Sequence, residues 1–235
     1  MQQPADSIKR LEQYLQQHRP NLAGDSRRLS DITYEILQDA LRNADVQAGD
    51  PLSENRISKA LGISRTPVRE ALQQLAGEGV LQIIPGRAIT VATRSLQDVL
   101  DALHVRQLIE PELARLLAEH MDEHDSATLQ ALTSAMREAA KKGDRAGWSK
   151  ADRQWHEMLC SACPNQLLGQ MVLQARNRMY SKGAGDNVSE QYLIEGTEEH
   201  AQIVDAIAAG DGEAAASLMV EHIAKVRANM FKGSY

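Results

Sequence analysis

Two cysteines are all that a sequence of 235 residues contains, and their scarcity excludes several chemistries. Cys160 and Cys163 stand as C-x-x-C in "CSACPN", where a disulfide would close only a tiny loop within or at the end of a helix. A four-thiolate zinc site needs a second such pair, and a thioredoxin-like unit needs a strand before the motif. Neither is present, so two ordinary, partly buried thiols are expected. Long apolar runs are missing as well. Stretches such as "IVDAIAA" fall far short of the ~20 residues that span a bilayer. The N-terminal "MQQPADSIKRLEQYLQQHRP" lacks a signal-peptide core, so no membrane association is expected and the expected location is cytoplasmic. Positive charge is also in short supply: the net charge of −6 argues against a surface coated in positive potential. The composition is not that of a disordered or collagen-like chain.

What is present is enough apolar content for one large or two ordinary domains, since a single core holds roughly 100–200 residues. Charge is unevenly spread. Residues 56–87 carry five basic groups (Arg56, Lys59, Arg65, Arg69, Arg87) against two acidic ones (Glu70, Glu78), a local +3 inside an acidic chain. A strip of this kind is the footprint of a phosphate-binding surface.

Periodicity divides the chain into three parts: 1–29, an N-terminal helical extension; 30–94, a small mixed domain; and 95–235, all helical. In the extension, residues 6–19 form a charged helical pattern ended by "RPNLAGDS". From Ser30 the spacing of Ile32, Ile36, Leu37 and Leu41 predicts a helix, broken by Gly49, Asp50 and Pro51. Ser53 is the expected cap of a second helix (Ile57, Ala60, Leu61), and Gly62 turns the chain. Ser64 caps a third helix that tolerates Pro67 in its first turn and ends at Gly79. In "VLQIIPGRAITVA", two β-branched runs flank Pro85-Gly86-Arg87, the pattern of a hairpin with a basic tip. After Ser95, roughly six helices follow, with no internal repeat.

On the third helix Val68, Ala71, Leu72 and Leu75 share one face, while Arg65, Thr66, Arg69 and Gln73 lie along the solvent side. A bare pair of arginines usually does no more than solvate a helix. Here a glycine turn precedes them and a basic hairpin follows, which is the layout of a winged helix-turn-helix whose second helix enters the major groove. Guanidinium forks suit both guanine edges and phosphates. The stretch "SENRISKALGISRTPVREALQQLAGEGVLQIIPGRAITVA" closely resembles the DNA-binding domain of the GntR family of bacterial regulators, whose signature ends in "SRTPVREAL", intact at Ser64–Leu72. The resemblance implies base and phosphate contacts from Arg65, Thr66 and Arg69, beside Ser64, and a minor-groove contact at Gly86 with Arg87 beside it. Asn55 stands where some members use an arginine near the start of the second helix, and Arg56, one residue on, is the candidate contact there.

In the helical part, polar groups occupy positions that the apolar period assigns to the core. The stripe Leu96, Val99, Leu103, Leu113, Leu117 includes Arg106 and Glu110. The stripe Trp148, Trp155, Leu159 includes Asp152, with His156 one turn beyond. His200 shares a face with Leu193, Ile203, Val204 and Ile207, and His222 with Leu218, Met219, Ile223 and Val226. Each imidazole alone is more often a satisfied core group than a ligand. Burying an unpaired charge, however, costs several kcal/mol, and Asp152 and His156 at i, i+4 can reach one ion that His200 and His222 close. One carboxylate and three imidazoles suit zinc first, with nickel, manganese or iron as alternatives.

Residues 95–231, through "VRQLIEPELARLLA", "DRQWHEML" and "EEHAQIVDAIAAGDGEAAASLMVEH", resemble the all-helical FCD effector domain of one GntR subfamily. The resemblance maps that subfamily's metal ligands onto Asp152, His156, His200 and His222. It implies a small carboxylate or sugar acid gripped by Arg106, with Arg176, on the face of Val172 and Met179, as second clamp. The expected fold is mainly α: a winged helix-turn-helix followed by an all-α antiparallel bundle. The expected function is that of a homodimeric repressor on double-stranded operator DNA, controlled by an organic acid beside a divalent metal, and not that of an enzyme. Two alternatives stand beside it. One is a metal-dependent hydrolase, which lacks a separately placed general base because Glu157 points elsewhere on the helix. The other is a metal-free interaction module whose histidines pair with glutamates.

Overall fold

The chain divides into two units, Met1–Ser95 and Leu96–Tyr235, and in each the apolar period of the sequence becomes the packed face of helices. A computed structural model describes residues 4–20, 26–44, 46–84, 88–93, 95–179 and 189–232. The first unit contains α1 (Pro4–Gln17), α2 (Leu29–Asn43), β1 (Pro51–Leu52), α3 (Glu54–Leu61), α4 (Arg65–Gly77), β2 (Leu81–Ile84) and β3 (Ala88–Val91). Leu37 of α2, Ile57 and Leu61 of α3, and Val68, Leu72 and Leu75 of α4 are all buried in one core. Gly62 closes α3 in the left-handed conformation, φ 73 and ψ 30, a backbone that glycine adopts without steric penalty. It swings the chain directly into α4.

Ser53 and Ser64 stand at the N-cap positions with extended backbones, but neither side chain accepts a helical N–H. Asp122, Asp144 and Ser189 do accept one, before the helices of the second unit. Helix α4 ends two residues before the expected Gly79, which follows it at φ 73. The hairpin is present, β2 pairing antiparallel with β3 from Leu81↔Val91 to Ile84↔Ala88. No sequence pattern marked β1, which makes a third strand by pairing Leu52 with Ile89, for a sheet order β1-β3-β2. Pro51 is its first residue, a position where a missing N–H is tolerated. The helix of the N-terminal extension is packed into this unit: Ile8, Leu11 and Leu15 of α1 lie buried in the same core.

Among the described residues the second unit holds six helices, α5 (Leu96–His120), α6 (Glu123–Lys141), α7 (Arg145–Ala162), α8 (Gln166–Met179), α9 (Glu190–Ala208) and α10 (Gly212–Lys232). They form an antiparallel all-α assembly around Leu103, Leu117, Leu129, Met136, Trp155, Ile203 and Met219. Gly169 lets α8 approach the C-terminal end of α7; a Cβ there would collide with the Cys160 carbonyl oxygen. Leu96, expected in the core stripe of α5, is instead 61% exposed, because it is the helix's first residue. Among the described residues no helix is long and apolar enough to cross a membrane.

Candidate functional site

Two regions collect the residues singled out from the sequence. In the first unit, Ser64, Arg65, Thr66 and Arg69 are all exposed along the start of α4, while Pro67, Val68, Ala71 and Leu72 face inward. Arg65 and Arg69 share one partner on α3. Arg65 Nη2 lies 3.3 Å from Glu54 Oε2, and Arg69 donates Nε to Oε1 at 3.2 Å and Nη2 to Oε2 at 3.1 Å. Arg69 and Arg65 together hold the Glu54 carboxyl below its ordinary pKa despite the cost of burial. The side chains of the two arginines remain 54% and 56% exposed. Arg56 is also exposed, but its Nε donates to Glu12 of α1. Gly86 and Arg87 lie outside the described residues.

The second region is inside the helical unit, where α7, α9 and α10 bring His156, His200 and His222 together. One ring nitrogen of each lies within 4.8 Å of the others, and all three are buried. Asp152, one turn before His156, joins them: its Oδ1 is 3.6 Å from His156 Nε2 and 3.2 Å from His200 Nε2. The hydrogen bonds of the outer nitrogens fix the tautomers of two of the three rings, His200 and His222. His200 Nδ1 donates to the Gly196 carbonyl at 2.5 Å, so in the neutral ring Nε2 carries a lone pair. That lone pair faces the Asp152 carboxylate and, at 3.2 Å, His156 Nε2. His222 Nδ1 donates to Glu199 Oε2 at 2.9 Å, and Lys225 Nζ holds the other oxygen of Glu199 at 3.1 Å. Lone pairs converging without enough protons to share form a donor set that a divalent transition ion satisfies. Glu199 did not stand out in the sequence. Its only signal was its place beside His200, and its partner lies on a different helix.

Burial sets the charge states. It pushes the His222 imidazole down to about 4, with Glu199 opposing. Burial and the nearby Arg176 guanidinium lower His156 well below the usual imidazole range. Burial alone would raise the Asp152 carboxyl, but the neighbouring histidines and Arg176 outweigh it and hold the group well below the carboxylate range. Neutral imidazoles beside an ionised carboxylate are the ligand forms a metal requires. Trp155 packs edge-on against His200 and His156, with centroids 4.3 Å and 4.7 Å apart. Its buried indole N–H has no partner among the described residues.

Beside this cluster stand both arginines expected to bind an anion. Arg106 donates Nε to Glu110 Oε1 at 2.5 Å and Nη2 to Oε2 at 3.2 Å, with side-chain exposures of 4% and 1%. Among the described residues its Nη1 has only the Met179 thioether, at 3.2 Å. Arg176 Nη2 reaches Asp152 Oδ2 at 3.5 Å. Burial, then the like charge of Arg106, lowers the Arg176 pKa. Cys160 and Cys163 are free and buried, and burial and Glu110 push the Cys160 thiol up to about 12. These are inert packing thiols, more deeply buried than expected.

The two units match two family profiles. Residues 29–91 match the one described as "Bacterial regulatory proteins, gntR family", and residues 101–225 match the FCD domain. A "Probable D-xylose utilization operon transcriptional repressor" of Paenarthrobacter nicotinovorans is 33% identical over 205 residues, 82% of each chain. The HTH-type transcriptional repressor RspR of Escherichia coli K12 is 28% identical over 195 residues, covering 82% of this chain and 85% of that one. Among solved structures, E. coli McbR/YncC superposes with a TM-score of 0.76 at 23% identity, covering 89% of this chain and all of that one, a likeness of fold. The first two relatives are named as transcriptional repressors. The chain belongs to the GntR family of bacterial transcriptional regulators, in the group whose second domain is an FCD domain.

Proposed function

We propose that this regulator is a homodimeric repressor whose grip on its operator depends on a small carboxylate or sugar acid bound beside a divalent metal in the helical unit. Residues 30–94 are read as the DNA-binding domain and residues 95–235 as the effector-binding and dimerisation domain. Helix α4 enters the major groove, with Ser64, Arg65, Thr66 and Arg69 toward DNA and Gly86 and Arg87 of the wing at the neighbouring groove. Asp152, His156, His200 and His222 hold the ion, zinc before nickel, manganese or iron. Arg106 and Arg176 take the acid.

One observation carries the reading: the charge inventory of the buried cluster. Arg106 and Arg176 stand against Glu110 and Asp152, so with neutral imidazoles the cluster is balanced. A bound divalent ion would supply a fixed surplus of two positive charges in a low-dielectric site, and an organic anion compensates it. Arg106 offers Nη1, whose thioether partner is a weak acceptor easily replaced by a carboxylate oxygen. Arg176, loosely held on Asp152, can turn to the same anion. Glu199 keeps the His222 ring oriented.

Dimerisation is supported by Val105 and Leu108 of α5 and Leu167 and Met171 of α8, exposed apolar side chains on two helices that pack together. A two-fold dimer would read a pseudo-palindromic operator. An acid that favours one arrangement of the units then changes operator affinity by a coupling of ~1–3 kcal/mol. The reading fits the cytoplasm as location. The test is elemental analysis of the purified protein and of the double variant His200→Ala/His222→Ala, with thermal-shift screening of sugar acids against both. Stoichiometric metal in the wild type, none in the variant, and a stabilising acid only in the metal-loaded wild type are expected. Stoichiometric metal retained by the double variant would dispose of the site.

A further inference from the structure

Helix α1 and the residues just after it lie outside both matched segments, 29–91 and 101–225, yet they are fastened to the first unit at three points, two of them on α3. Ser7 Oγ donates to Asp50 Oδ2 at 2.5 Å, just before β1. Glu12 accepts from Arg56 at the start of α3. Past the helix end, Arg19 Nε donates to the Ala60 carbonyl at 2.9 Å, at the finish of α3. This last contact lays the guanidinium over the turn into α4: its Cζ is 3.8 Å from where a Cβ on Gly62 would stand. Arg19 itself is exposed, and no carboxylate among the described residues pairs with it.

The segment therefore changes the charge beside α4 at two places. Glu12 neutralises Arg56, a cation otherwise free to meet a phosphate. Arg19 supplies another cation, held by one hydrogen bond to the carbonyl of Ala60, in the last turn of α3 and ahead of Arg65, the exposed first residue of α4. The Ala60 contact engages only Nε of this exposed guanidinium; its two terminal nitrogens form the fork that grips phosphate oxygens. We propose that Arg19 is a phosphate contact, so that the N-terminal helix belongs to the DNA-binding surface and exchanges one backbone contact, Arg56, for another. The proposal rests on α4 being the helix that enters the groove.

The experiment compares full-length wild type, Arg19→Gln, Arg19→Lys and Arg65→Ala. Affinity is titrated against salt on two duplexes: one selected by the protein from a randomised pool, and one of mixed sequence. Arg19→Gln keeps a donor for the Ala60 carbonyl and removes the charge. On both duplexes its plot of log affinity against log salt should flatten by about 0.9, the share of one phosphate, with an unchanged melting temperature. Arg19→Lys should keep the wild-type slope. A wild-type slope in Arg19→Gln, or an equal loss in Arg19→Lys, overturns the proposal. Arg65→Ala should lose discrimination between the duplexes; if it keeps it, the assignment of α4 fails, whatever Arg19 does.

Discussion

In the first unit Glu54 binds Arg65 and Arg69 within reach of solvent; in the second, Glu110 binds Arg106 out of it. The chemistry is the same, a guanidinium on a carboxylate, but the surroundings reverse its meaning. Water screens the exposed pairs and competes for every hydrogen bond, so such pairs add little to stability and exchange partners at little cost. That suits arginines that, as proposed above, leave a glutamate for DNA. The buried pair has no such alternative. Each charge has given up its hydration, and removing one partner strands the other. A rigid arginine beside a metal-capable cluster presents a fixed donor, and preorganisation of that kind favours a ligand that fits it.

The sharpest way to break the comparison is to cut the buried pair. Glu110→Ala should destabilise the protein by about 3–5 kcal/mol in urea unfolding, because Arg106 is left charged and buried. Replacing both partners with apolar residues, Arg106→Met with Glu110→Leu, should recover most of that loss. A single variant as stable as wild type would mean that water reaches the pair, and the distinction between the two units would disappear.

A somewhat smaller effect is expected from acid. His222 is held near a pKa of about 4, against 6.5 for an ordinary imidazole, so between those values the unfolded chain binds the proton first. Stability is therefore complete above roughly pH 6.5 and declines as pH falls toward 4, with a total of about 3 kcal/mol from this residue. Chelator-treated protein unfolded in urea across that range should show the slope, and His222→Gln should flatten it. An unchanged profile in the variant would assign the slope to other groups.

The sequence was most informative where one segment carries the whole signal. "GISRTPVREAL" encodes turn, helix and exposed arginines within a few residues, and α4 appears as expected. It was least informative where a feature needs partners from far along the chain. The pairing of β1 with β3 joins Leu52 to Ile89, and a strand of two residues has no period to detect. Helix α1 was legible only as a charged helical pattern, and nothing local says that its apolar residues join the core of the first unit. The inward histidines stood out because a polar group on an apolar stripe is a local anomaly. Glu199 did not, since a half-buried glutamate beside a histidine looks like any surface residue until His222 of α10 arrives against it. The Glu110 partner of Arg106 was visible at i+4, yet the sequence could not say that the arginine expected to bind an effector is already bound to its own helix.

The smallest effect belongs to the exposed glutamate. Glu54→Gln removes the carboxylate that collects both Arg65 and Arg69, three hydrogen bonds in all. By simple counting it should cost more than Glu110→Ala, which removes two hydrogen bonds to Arg106. Counting misleads because the arginines, more than half exposed, return to water with their hydration and rotamer freedom restored. The expected shift of the urea midpoint is within experimental scatter. A loss comparable to that of Glu110→Ala would mean that Glu54 holds α3 and α4 together structurally. The arginines of α4 would then be committed to their own domain, not waiting for a partner outside it.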